Sequence, residues 1–441
     1  MSSEHIRKIS RDYALYVAKF RAIPYASDGL KTGQRIVLWL LRNKSEKIKT
    51  MALTGLAMSE KLYVHGDASC NETIGMLAAP YKNNAPLITG HGFFGSRIAP
   101  DEIGAPRYTE VSRSQYAQKF LYNDIDIVPL TENYDGSNVE PMHFLPVIPL
   151  VLLNGIEGIA TGWSSKIFPR SLKGLIQATT DAIDEKSKLR GLDIHFENYD
   201  ISIKTLEPNK YEFSGKVKIL DTSTVEVVEL PPQKKIDDFK KMLITMEEEK
   251  KIAYYDDYSS EKIRIVVKFP RGFLKDWSND DVLDFLKLRS KATERIVVVD
   301  WSGEKIRTYD SPEEFVRDFV KWRMQYYYTR YNKKLADSQI DISYYQLLKA
   351  LYDKGFVSKL GKFANKLAMT DEINKIAKSL NVIPDIDRIL NIATYRWTKE
   401  FEKEIIDMIK KINDEIVEYK DILGSETKIK NIFKDEVLRC Q

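Results

Sequence analysis

Hydrophobic residues recur at intervals of three and four in two short segments near the start of the chain. The first segment covers residues 33–42 and the second covers residues 48–58, with a short polar break between them. This spacing places the apolar side chains of each segment on one face of a helix. Two helices joined this closely, with basic residues beside them, are typical of helix-turn-helix and winged-helix units that bind DNA, although short helix pairs also occur in other folds.

The pattern changes between residues 171 and 312, where helical and strand-like stretches are mixed. Alternation of polar and apolar residues predicts strands in KVKIL, TVEVVEL, IRIVVKF and RIVVVDW, and residues 236–250 have the period of a helix. We therefore predict a separate α/β body in this part of the chain.

Beyond residue 311 two long helical patterns appear, over residues 312–354 and 389–423. Seven apolar residues of the second pattern recur at spacings of three and four, while Glu and Lys fill the other positions. They are Phe401, Ile405, Met408, Ile412, Ile416, Tyr419 and Leu423. Two such helices that flank a helical insert predict an antiparallel coiled-coil arm with a helical knob at its tip. The arm could serve only within the chain, or the knob could form a contact between two copies.

The composition fits a globular protein of about three domains, because the chain has 441 residues and 43% of them are hydrophobic. No apolar run reaches the ~20 residues of a membrane span, and the first residues lack the apolar stretch of a signal peptide. We therefore expect a cytoplasmic protein without membrane contact. The two cysteines, Cys70 and Cys440, are far apart and form no C-x-x-C pair, which argues against a disulfide framework, a zinc site or a thiol redox motif.

The charge of the chain is unevenly distributed, although the formal net charge is only +4. Residues 1–64 hold twelve Lys and Arg and five Asp and Glu, a net charge of +7, so the remainder of the chain carries −3. This asymmetry indicates a polyanion-binding surface at the N-terminal end, although a solvated basic face without a partner would look the same.

A loop-rich region with several glycines separates the helix pair from Tyr108. Its glycines permit close approach of a ligand to the backbone. After Tyr108, Ser112 and Gln115 have the spacing of a helix capping box, so we expect a helix to begin there and Tyr108 to lie just ahead of it on an extended or wing-like segment. A tyrosine hydroxyl titrates near ~10 and is a poor nucleophile unless a cation favours the phenolate. Arg107 could be that cation; the alternative is that Tyr108 is a packing aromatic.

Seven stretches resemble, in the same order, the DNA-breakage subunit of type IIA topoisomerases, the family of gyrase A subunits. They are RAIPYASDGLKTGQR, YVHGDAS, GHGFFGS, APRYTE, ENYDG, LLNGIEGIATG and VVELPP. Any one could arise by chance, but seven in register span nearly the whole chain. Within the family, the resemblance is to the medium subunits of T-even-type bacteriophage topoisomerases, because the sequence stops soon after the second arm helix, where gyrase A continues into a DNA-wrapping domain. The resemblance then implies relaxation or decatenation of DNA without negative supercoiling, in the host bacterial cytoplasm if a phage encodes the chain.

The resemblance implies a multi-domain fold of mixed α and β structure. A winged-helix domain for DNA binding and cleavage would occupy residues 1–150, and an α/β tower domain would occupy residues 151–311. A coiled-coil arm with a helical dimerisation knob would occupy residues 312–441.

The resemblance also implies which residues act on DNA. Tyr108 matches the tyrosine that attacks a DNA phosphodiester and becomes linked to the 5′ phosphate, and Arg107 would stabilise charge on the attacked phosphate. The implied DNA-binding residues are Arg21, Lys31, Gln34, Arg35, His65 and Ile159. The basic residues would hold phosphates, the histidine would lie beside the group that is cut, and the isoleucine would wedge between base steps and bend the DNA. The alternative for the isoleucine is a place in the core.

Four positions depart from the pattern of the family. Tyr63 stands where many relatives carry a histidine, Ile36 where gyrase has a second arginine, and His91 and Phe93 where GQGNFGS is common. These departures affect the fine placement of phosphate contacts, and we expect cleavage to survive them.

Two motifs needed for a complete topoisomerase are absent from the sequence. There is no G-x-x-x-x-G-K-[ST] loop and no acidic cluster resembling E-G-D-S with D-x-D. The resemblance therefore implies that a partner subunit of the gyrase B type hydrolyses ATP and holds Mg²⁺, with no metal site in this chain. One tyrosine cuts one strand, so passage of a duplex implies a homodimer on double-stranded DNA. The alternatives are a non-catalytic winged-helix DNA-binding scaffold and a tyrosine-using break-forming protein without a resealing gate.

Overall fold

The computed structural model describes residues 3–441, except for the side chains of residues 3, 4 and 6. The chain forms two compact units, one reaching to residue 323 and including residues 434–441, and one comprising residues 324–433. The mixed α/β class is confirmed, whereas the three predicted domain boundaries stay a prediction. In the described part of the chain, no helix is both long and apolar enough to cross a membrane.

The N-terminal part of the first unit combines helices with a small antiparallel sheet. Its elements are α1 (Ser3–Val17), a π-helical turn (Ala18–Ala22), α2 (Thr32–Leu41), β1 (Ile48–Lys49), α3 (Thr50–Ser59), α4 (Asp67–Ala78), β2 (Ile88–His91), β3 (Glu110–Arg113) and α5 (Gln115–Phe120). The strand order is β1-β3-β2, and α2, α3 and α4 pack against one another. The apolar side chains Val37, Leu38 and Leu53 are completely buried, as the helical spacing predicted. Ile74 is also completely buried, but it lies on α4, a helix in the region that was predicted to be loop-rich. This arrangement of three helices and a three-stranded sheet is a winged helix.

Two β-hairpins follow the winged helix. The elements of this segment are a 3₁₀ turn (Ile125–Ile127), β4 (Leu130–Glu132), β5 (Val139–Pro141), α6 (Leu150–Asn154), β6 (Ile156–Ala160), β7 (Trp163–Ile167) and α7 (Leu172–Ile183). The strands pair antiparallel, β4 with β5 and β6 with β7. Gly162 at the β6–β7 turn has a φ of 81°, a conformation that favours glycine.

The tower segment is built from three small sheets and two helices. Its elements are β8 (Ser202–Glu207), β9 (Lys210–Ser214), β10 (Lys216–Asp221), β11 (Thr224–Glu229), α8 (Ile236–Glu248), β12 (Tyr254–Asp257), β13 (Ile265–Lys268), α9 (Asn279–Phe285), β14 (Arg289–Thr293), β15 (Ile296–Val299) and β16 (Ile306–Tyr309). The sheets have the orders β10-β11-β13-β12, β14-β9-β8 and β15-β16. The core of the largest sheet includes Val225, Val227, Ile265 and, from α8, Phe239. The strands and the helix predicted here are confirmed.

The second unit is mainly helical. The remaining elements of the chain are α10 (Pro312–Asp353), a 3₁₀ turn (Val357–Lys362), α11 (Lys366–Ser379), α12 (Ile386–Leu390), a 3₁₀ turn (Thr394–Arg396), α13 (Lys399–Leu423) and α14 (Glu426–Leu438). The rings of Tyr331 and Tyr419 lie 5.9 Å apart, and Lys349 Nζ lies 3.3 Å from Glu402 Oε1. Since later residues of α10 meet earlier residues of α13, the two helices run antiparallel, as predicted for the arm.

The prediction that the second arm helix begins at residue 389 is wrong. Ile389 belongs to the short helix α12, and α13 begins at Lys399. The side chain of Thr398 accepts a hydrogen bond of 3.2 Å from Phe401 N and so caps the first turn of α13. Ile389 is instead buried in the core of the helical knob.

Candidate active site

Tyr108 lies in a tight turn immediately before β3. Its backbone N–H donates to Ala105 O at 2.8 Å, and 71% of the residue is exposed to solvent. A tyrosine held mainly for packing would be covered by neighbouring side chains, so the exposure argues against that alternative. The turn thus presents a phenol hydroxyl to whatever binds this surface.

The turn is attached to the first residues of α3. Thr50 N donates to Thr109 O at 3.0 Å, and Met51 N donates to Pro106 O at 3.1 Å. N–H groups in the first turn of a helix have no partner within the helix, and the side chain of Lys49 at the N-cap position makes no cap hydrogen bond. The carbonyl groups of the Tyr108 turn therefore cap α3.

Arg107 lies beside the tyrosine ring. Its guanidinium carbon is 4.7 Å from the centroid of the Tyr108 ring, within the range of a cation–π contact. Arg107 is exposed, and its five N–H donors match the geometry of phosphate oxygens. The positive charge is therefore available to an anion that approaches the phenol oxygen.

The prediction that Ser112 caps the following helix is wrong. Ser112 lies in β3, and its hydroxyl is 3.0 Å from His91 Nε2 on the neighbouring strand β2. The cap of α5 is Ser114, whose Oγ accepts from Ala117 N at 3.0 Å. The segment after Tyr108 is therefore the central strand of the wing sheet rather than the start of a helix, which agrees with the wing-like placement of Tyr108.

Four of the predicted DNA-binding residues line one large cleft of about 880 Å³ in the first unit. They are Arg21, Lys31, Gln34 and His65. The structure does not bring Tyr108, Arg107 or Ile159 into the lining of this cleft.

Lys31 sits on the wall of the cleft beside the β6–β7 hairpin. Its Nζ donates to Glu157 O at 2.8 Å, and burial lowers the pKa of Lys31, an effect that the Glu157 carboxylate opposes. The Gln34 side chain accepts a hydrogen bond of 3.0 Å from Lys31 N. Gln34 therefore also fixes the start of α2 and with it the position of Lys31.

His65 faces the same cleft at the edge of an aromatic side chain. Its ring lies 5.8 Å from the ring of Tyr63 in an edge-to-face arrangement, and partial burial, followed by the charge of Arg21, lowers the pKa of His65. The Tyr63 hydroxyl is 3.2 Å from both Ser69 Oγ and Thr73 Oγ1. Tyr63, one of the departures from the family pattern, therefore ties the loop of His65 to α4.

Arg35 lies in a different environment from the one predicted for a phosphate contact. The residue is 2% exposed, its Nε donates to Asp28 Oδ2 at 2.6 Å, and the guanidinium carbon lies 4.2 Å from the centre of the Tyr25 ring. The residues of α2 that follow it, Ile36 to Leu41, are also buried, so the Arg35 side chain lies inside the unit with its buried partner. We therefore assign Arg35 to fixing the turn at residues 28–31 rather than to DNA.

Ile159 stands on β6, close to the tip of the β6–β7 hairpin. It is 84% exposed, which contradicts a place in the core. A Cβ at the neighbouring Gly158 would overlap with the carbonyl oxygen of Ala22, so the hairpin packs tightly on the π-helical turn. An exposed aliphatic side chain therefore lies on a tightly packed hairpin beside the basic cleft.

Sequence reasoning missed the function of the ENYDG stretch, which joins the β4–β5 hairpin to the end of α3. Asn133 Nδ2 donates to Lys61 O at 3.1 Å, and Asn138 Nδ2 donates to Glu60 O at 3.2 Å. Lys61 Nζ also donates to Asp135 Oδ2 at 3.0 Å. The hairpin therefore satisfies carbonyl groups at the C-terminal end of α3. A run of Asn, Asp and Gly indicated a turn, but gave no sign of its partner.

Sequence reasoning also missed several basic residues of the cleft. They are Lys82, Lys166, Lys234 and Lys235. They come from segments far apart in the chain, so no local cluster of basic residues in the sequence indicated them. Lys166 and Lys235 also pair with the carboxylates of Glu157 and Asp101, so the positive charge that suits the cleft to a polyanion comes mainly from Arg21, Lys31, Lys82 and Lys234.

The carboxylates of this chain do not provide a metal site in the described part of the structure. Within residues 3–441, no group of three or more His, Cys, Asp or Glu side chains is arranged to hold a metal ion.

Comparison with known proteins places these features in a family. The family model for the A-type subunits of DNA gyrase/topoisomerase IV matches residues 21–438. The DNA topoisomerase medium subunit of Enterobacteria phage T4 is 27% identical over 435 residues, which cover 94% of this chain and 95% of that protein. The DNA topoisomerase 2-alpha of Gallus gallus is 33% identical over 321 residues, which cover 70% of this chain and only 20% of that protein.

A solved structure has the same fold. The chain superposes on the DNA-binding, cleavage and re-ligation domain of Plasmodium falciparum topoisomerase II with a TM-score of 0.84 and 24% sequence identity, over 96% of this chain and 62% of that one. The match extends over the winged helix, the tower and the arm alike. On the family match, the chain belongs to the family of DNA gyrase and topoisomerase IV A subunits.

Proposed function

We propose that the chain is the DNA-breakage and resealing subunit of an ATP-dependent type II DNA topoisomerase. The observation that carries the proposal is the exposed phenol of Tyr108, 71% accessible, with the Arg107 guanidinium 4.7 Å from its ring. The proposal assigns DNA binding and cleavage to residues 1–150, the tower to residues 151–311, and the arm with its dimerisation knob to residues 312–441.

The reaction is a transesterification in which Tyr108 is the nucleophile. The phenol oxygen forms a bond to the phosphorus, the bond from phosphorus to the 3′ oxygen breaks, and the phenol proton leaves while the 3′ oxygen gains one. No oxidant, reductant or water is consumed. The phosphotyrosine ester on the 5′ end conserves the energy of the broken bond, so the reverse attack by the 3′ hydroxyl reseals the strand.

Arg107 is proposed to act on the attacked phosphate. Charge accumulates on the non-bridging oxygens as the phenol oxygen approaches, and a guanidinium in place beforehand stabilises that charge without reorganisation. Its contact with the Tyr108 ring keeps the cation near the reacting oxygen. Arg107 is therefore an electrostatic catalyst rather than a proton acceptor.

The basic cleft and the β6–β7 hairpin are proposed to hold and bend the duplex. Arg21, Lys31 and the other basic side chains of the cleft would contact phosphates and make binding depend on salt. Ile159 would insert between base steps, which costs a few kcal/mol in unstacking and is offset by the protein contacts that the bend allows. Gln34 and His65 are proposed to line the path of the strand beside them.

The complete enzyme is proposed to contain two copies of this chain and a partner subunit of the gyrase B type. The partner would hydrolyse ATP and hold the Mg²⁺ that assists phosphoryl transfer, since the sequence of this chain lacks the corresponding motifs. Two copies are needed because each tyrosine cuts one strand. The proposed net reaction is relaxation or decatenation, and the absence of negative supercoiling stays a prediction.

Substitution of Tyr108 by Phe tests the proposal. The reconstituted enzyme is mixed with DNA, ATP and Mg²⁺, the reaction is stopped with detergent, and protein attached to 5′ ends is measured. Tyr108→Phe is expected to bind DNA and to form no covalent adduct, because only the attacking oxygen is removed. Arg107→Ala is expected to cleave more slowly. A wild-type protein that binds DNA and never forms an adduct would instead indicate the winged-helix scaffold.

A further inference from the structure

The residue after the nucleophile is buried in a site of its own. Thr109 is 2% exposed, although Tyr108 beside it projects into solvent. Its Oγ1 lies 2.8 Å from Oγ1 of Thr50, the first residue of α3, which is 3% exposed. A hydrogen bond between two hydroxyl groups is directional, so it fixes the rotation of the Thr109 side chain relative to α3.

The methyl group of Thr109 is enclosed on its other side by two glycines. A Cβ at Gly104 would lie 2.9 Å from Thr109 Cγ2, and one at Gly92 would lie 3.2 Å from the same atom. Gly92 also has a φ of 111°, a conformation that side chains rarely adopt. Gly104 N donates to Phe93 O at 2.9 Å, which joins the two glycine segments. These two glycine backbones, the glycine cage, therefore lie close against the Thr109 methyl group, and a side chain on either of them would crowd it.

We infer that Thr109 is the positioning residue of the nucleophile, an inference that rests on the proposed function. The hydroxyl bond to Thr50 adds a side-chain contact to the two backbone hydrogen bonds that hold the turn on α3, and the glycine cage limits movement of Thr109 in the other direction. The Tyr108 N–H donates to Ala105 O inside the turn, whereas the hydrogen bonds from the turn to α3 are made through Pro106 and Thr109. The neighbouring anchor therefore holds the phenol where an in-line attack needs it, while leaving the ring free to meet DNA.

A purely structural role for the same bond predicts a different result. Loss of a buried hydrogen bond lowers stability wherever it lies, but the folded fraction would still cleave at the wild-type rate. A positioning role lowers the rate of cleavage per folded molecule, because a small displacement of reacting groups costs rate even when binding is unchanged. The two roles are separated by comparing rate, DNA affinity and melting temperature.

Helix α3 offers a matched control one turn away. Thr54 is buried like Thr50, and its Oγ1 donates to Asn71 Oδ1 on α4 at 2.7 Å. Thr54→Val removes a hydroxyl bond from the same helix without touching the Tyr108 turn. Its effect on melting temperature is expected to match that of Thr50→Val.

The experiment measures single-turnover cleavage by the reconstituted enzyme with Mg²⁺, together with DNA affinity and melting temperature. Thr109→Val and Thr50→Val are each expected to slow cleavage by about tenfold or more with unchanged DNA affinity. The double variant is expected to be no slower than either single variant, because both remove one bond. Thr50→Ser keeps the hydroxyl group and is expected to cleave at the wild-type rate. Thr54→Val is expected to cleave as the wild type does.

Two results would overturn the inference alone. One is cleavage at the wild-type rate by Thr109→Val or, if that variant does not fold, by Thr50→Val. The other is an equal loss of rate in Thr54→Val. Absence of a covalent adduct in the wild-type enzyme would instead overturn the proposed function, and the inference with it.

Discussion

The buried pair of Arg35 and Asp28 provides a test that separates a structural arginine from a DNA contact. Two hydrogen bonds join the side chains, Nε to Oδ2 at 2.6 Å and Nη2 to Oδ1 at 3.1 Å. Asp28 also accepts from Leu30 N at 3.1 Å and from Phe144 N at 3.0 Å. The carboxylate thus joins the turn after the π-helical segment to the segment between β5 and α6.

Arg35→Met removes the cation and leaves the Asp28 carboxylate buried with only backbone donors. Removal of one partner of a buried ion pair costs about 3–5 kcal/mol. A domain of a few hundred residues loses roughly 2–4 °C of melting temperature for each kcal/mol, so the expected loss is roughly 6–20 °C. Adding Asp28→Asn removes the uncompensated charge and is expected to recover part of this loss.

The assay combines calorimetry with DNA binding at several salt concentrations. Arg35→Met is expected to melt earlier, while the slope of log K against log salt for DNA binding stays as in the wild type. Arg21→Met is the matched control, because Arg21 is exposed; it is expected to leave the melting temperature unchanged and to reduce the slope by about 0.9. The reasoning is refuted if Arg35→Met reduces the salt slope by as much as Arg21→Met does and has the melting temperature of the wild type.

Three further predictions follow from the geometry. Ile159→Ala is expected to change stability by less than about 0.5 kcal/mol, because the side chain is exposed. The same variant is expected to reduce the bend of bound DNA, measured by energy transfer between labelled ends. An unchanged bend would contradict the role of Ile159 as a wedge between base steps. Gly158→Ala is expected to destabilise the protein in calorimetry, because its Cβ would overlap with the π-helical turn. Gly55→Ala, with open space around it, is expected to be neutral or stabilising by up to about 1 kcal/mol. Equal melting temperatures of the two variants would count against tight packing of the hairpin on the π-helical turn. Hydrogen bonds from Arg190, and from a neighbouring lysine, hold the pKa of Asp181 well below its usual value, so the contribution of Asp181 to stability is present above about pH 4 and is lost as the pH falls further. The loss of stability caused by Asp181→Asn should therefore shrink on acidification. A stability difference between variant and wild type that stays constant from pH 7 to pH 3 would be inconsistent with this reasoning.

Features that depend on local pattern could be predicted from the sequence. The alternation of Val225 and Val227 with polar residues predicted a strand with one buried face, and both valines are completely buried in β11. The spacing of Ile405 and Ile412 predicted one apolar face of the second arm helix, and both are buried. Tyr108 was found through its motif, since composition alone does not distinguish it from the other tyrosines.

Features that depend on partners far along the chain, or on a choice between similar neighbours, could not be predicted. Arg35 looked like a surface cation because nothing in the local pattern reveals the buried carboxylate seven positions earlier. Ser112 and Ser114 offered equal local capping chemistry, and the pairing of β3 with β2 decided between them by placing Ser112 in the sheet. The start of α13 depended on the cap at Thr398, which a continuous apolar period did not reveal.

The contacts of Thr109 show the same limit more clearly. Its hydroxyl partner lies 59 positions earlier in the chain, and its glycine cage comes from two further segments. Sequence reasoning identified the glycine loops as places where a backbone approaches a ligand. The structure shows that Gly92 and Gly104 approach the methyl group of Thr109 instead.

The most direct test of the account identifies the amino acid that becomes linked to DNA. The cleaved complex of the wild-type enzyme is trapped with detergent, digested with nuclease and trypsin, and analysed by mass spectrometry for a peptide that carries a nucleotide. The account predicts the nucleotide on the phenol oxygen of Tyr108, in the peptide of residues 108–113. Attachment to another residue, such as Tyr116 in the following peptide, would contradict it.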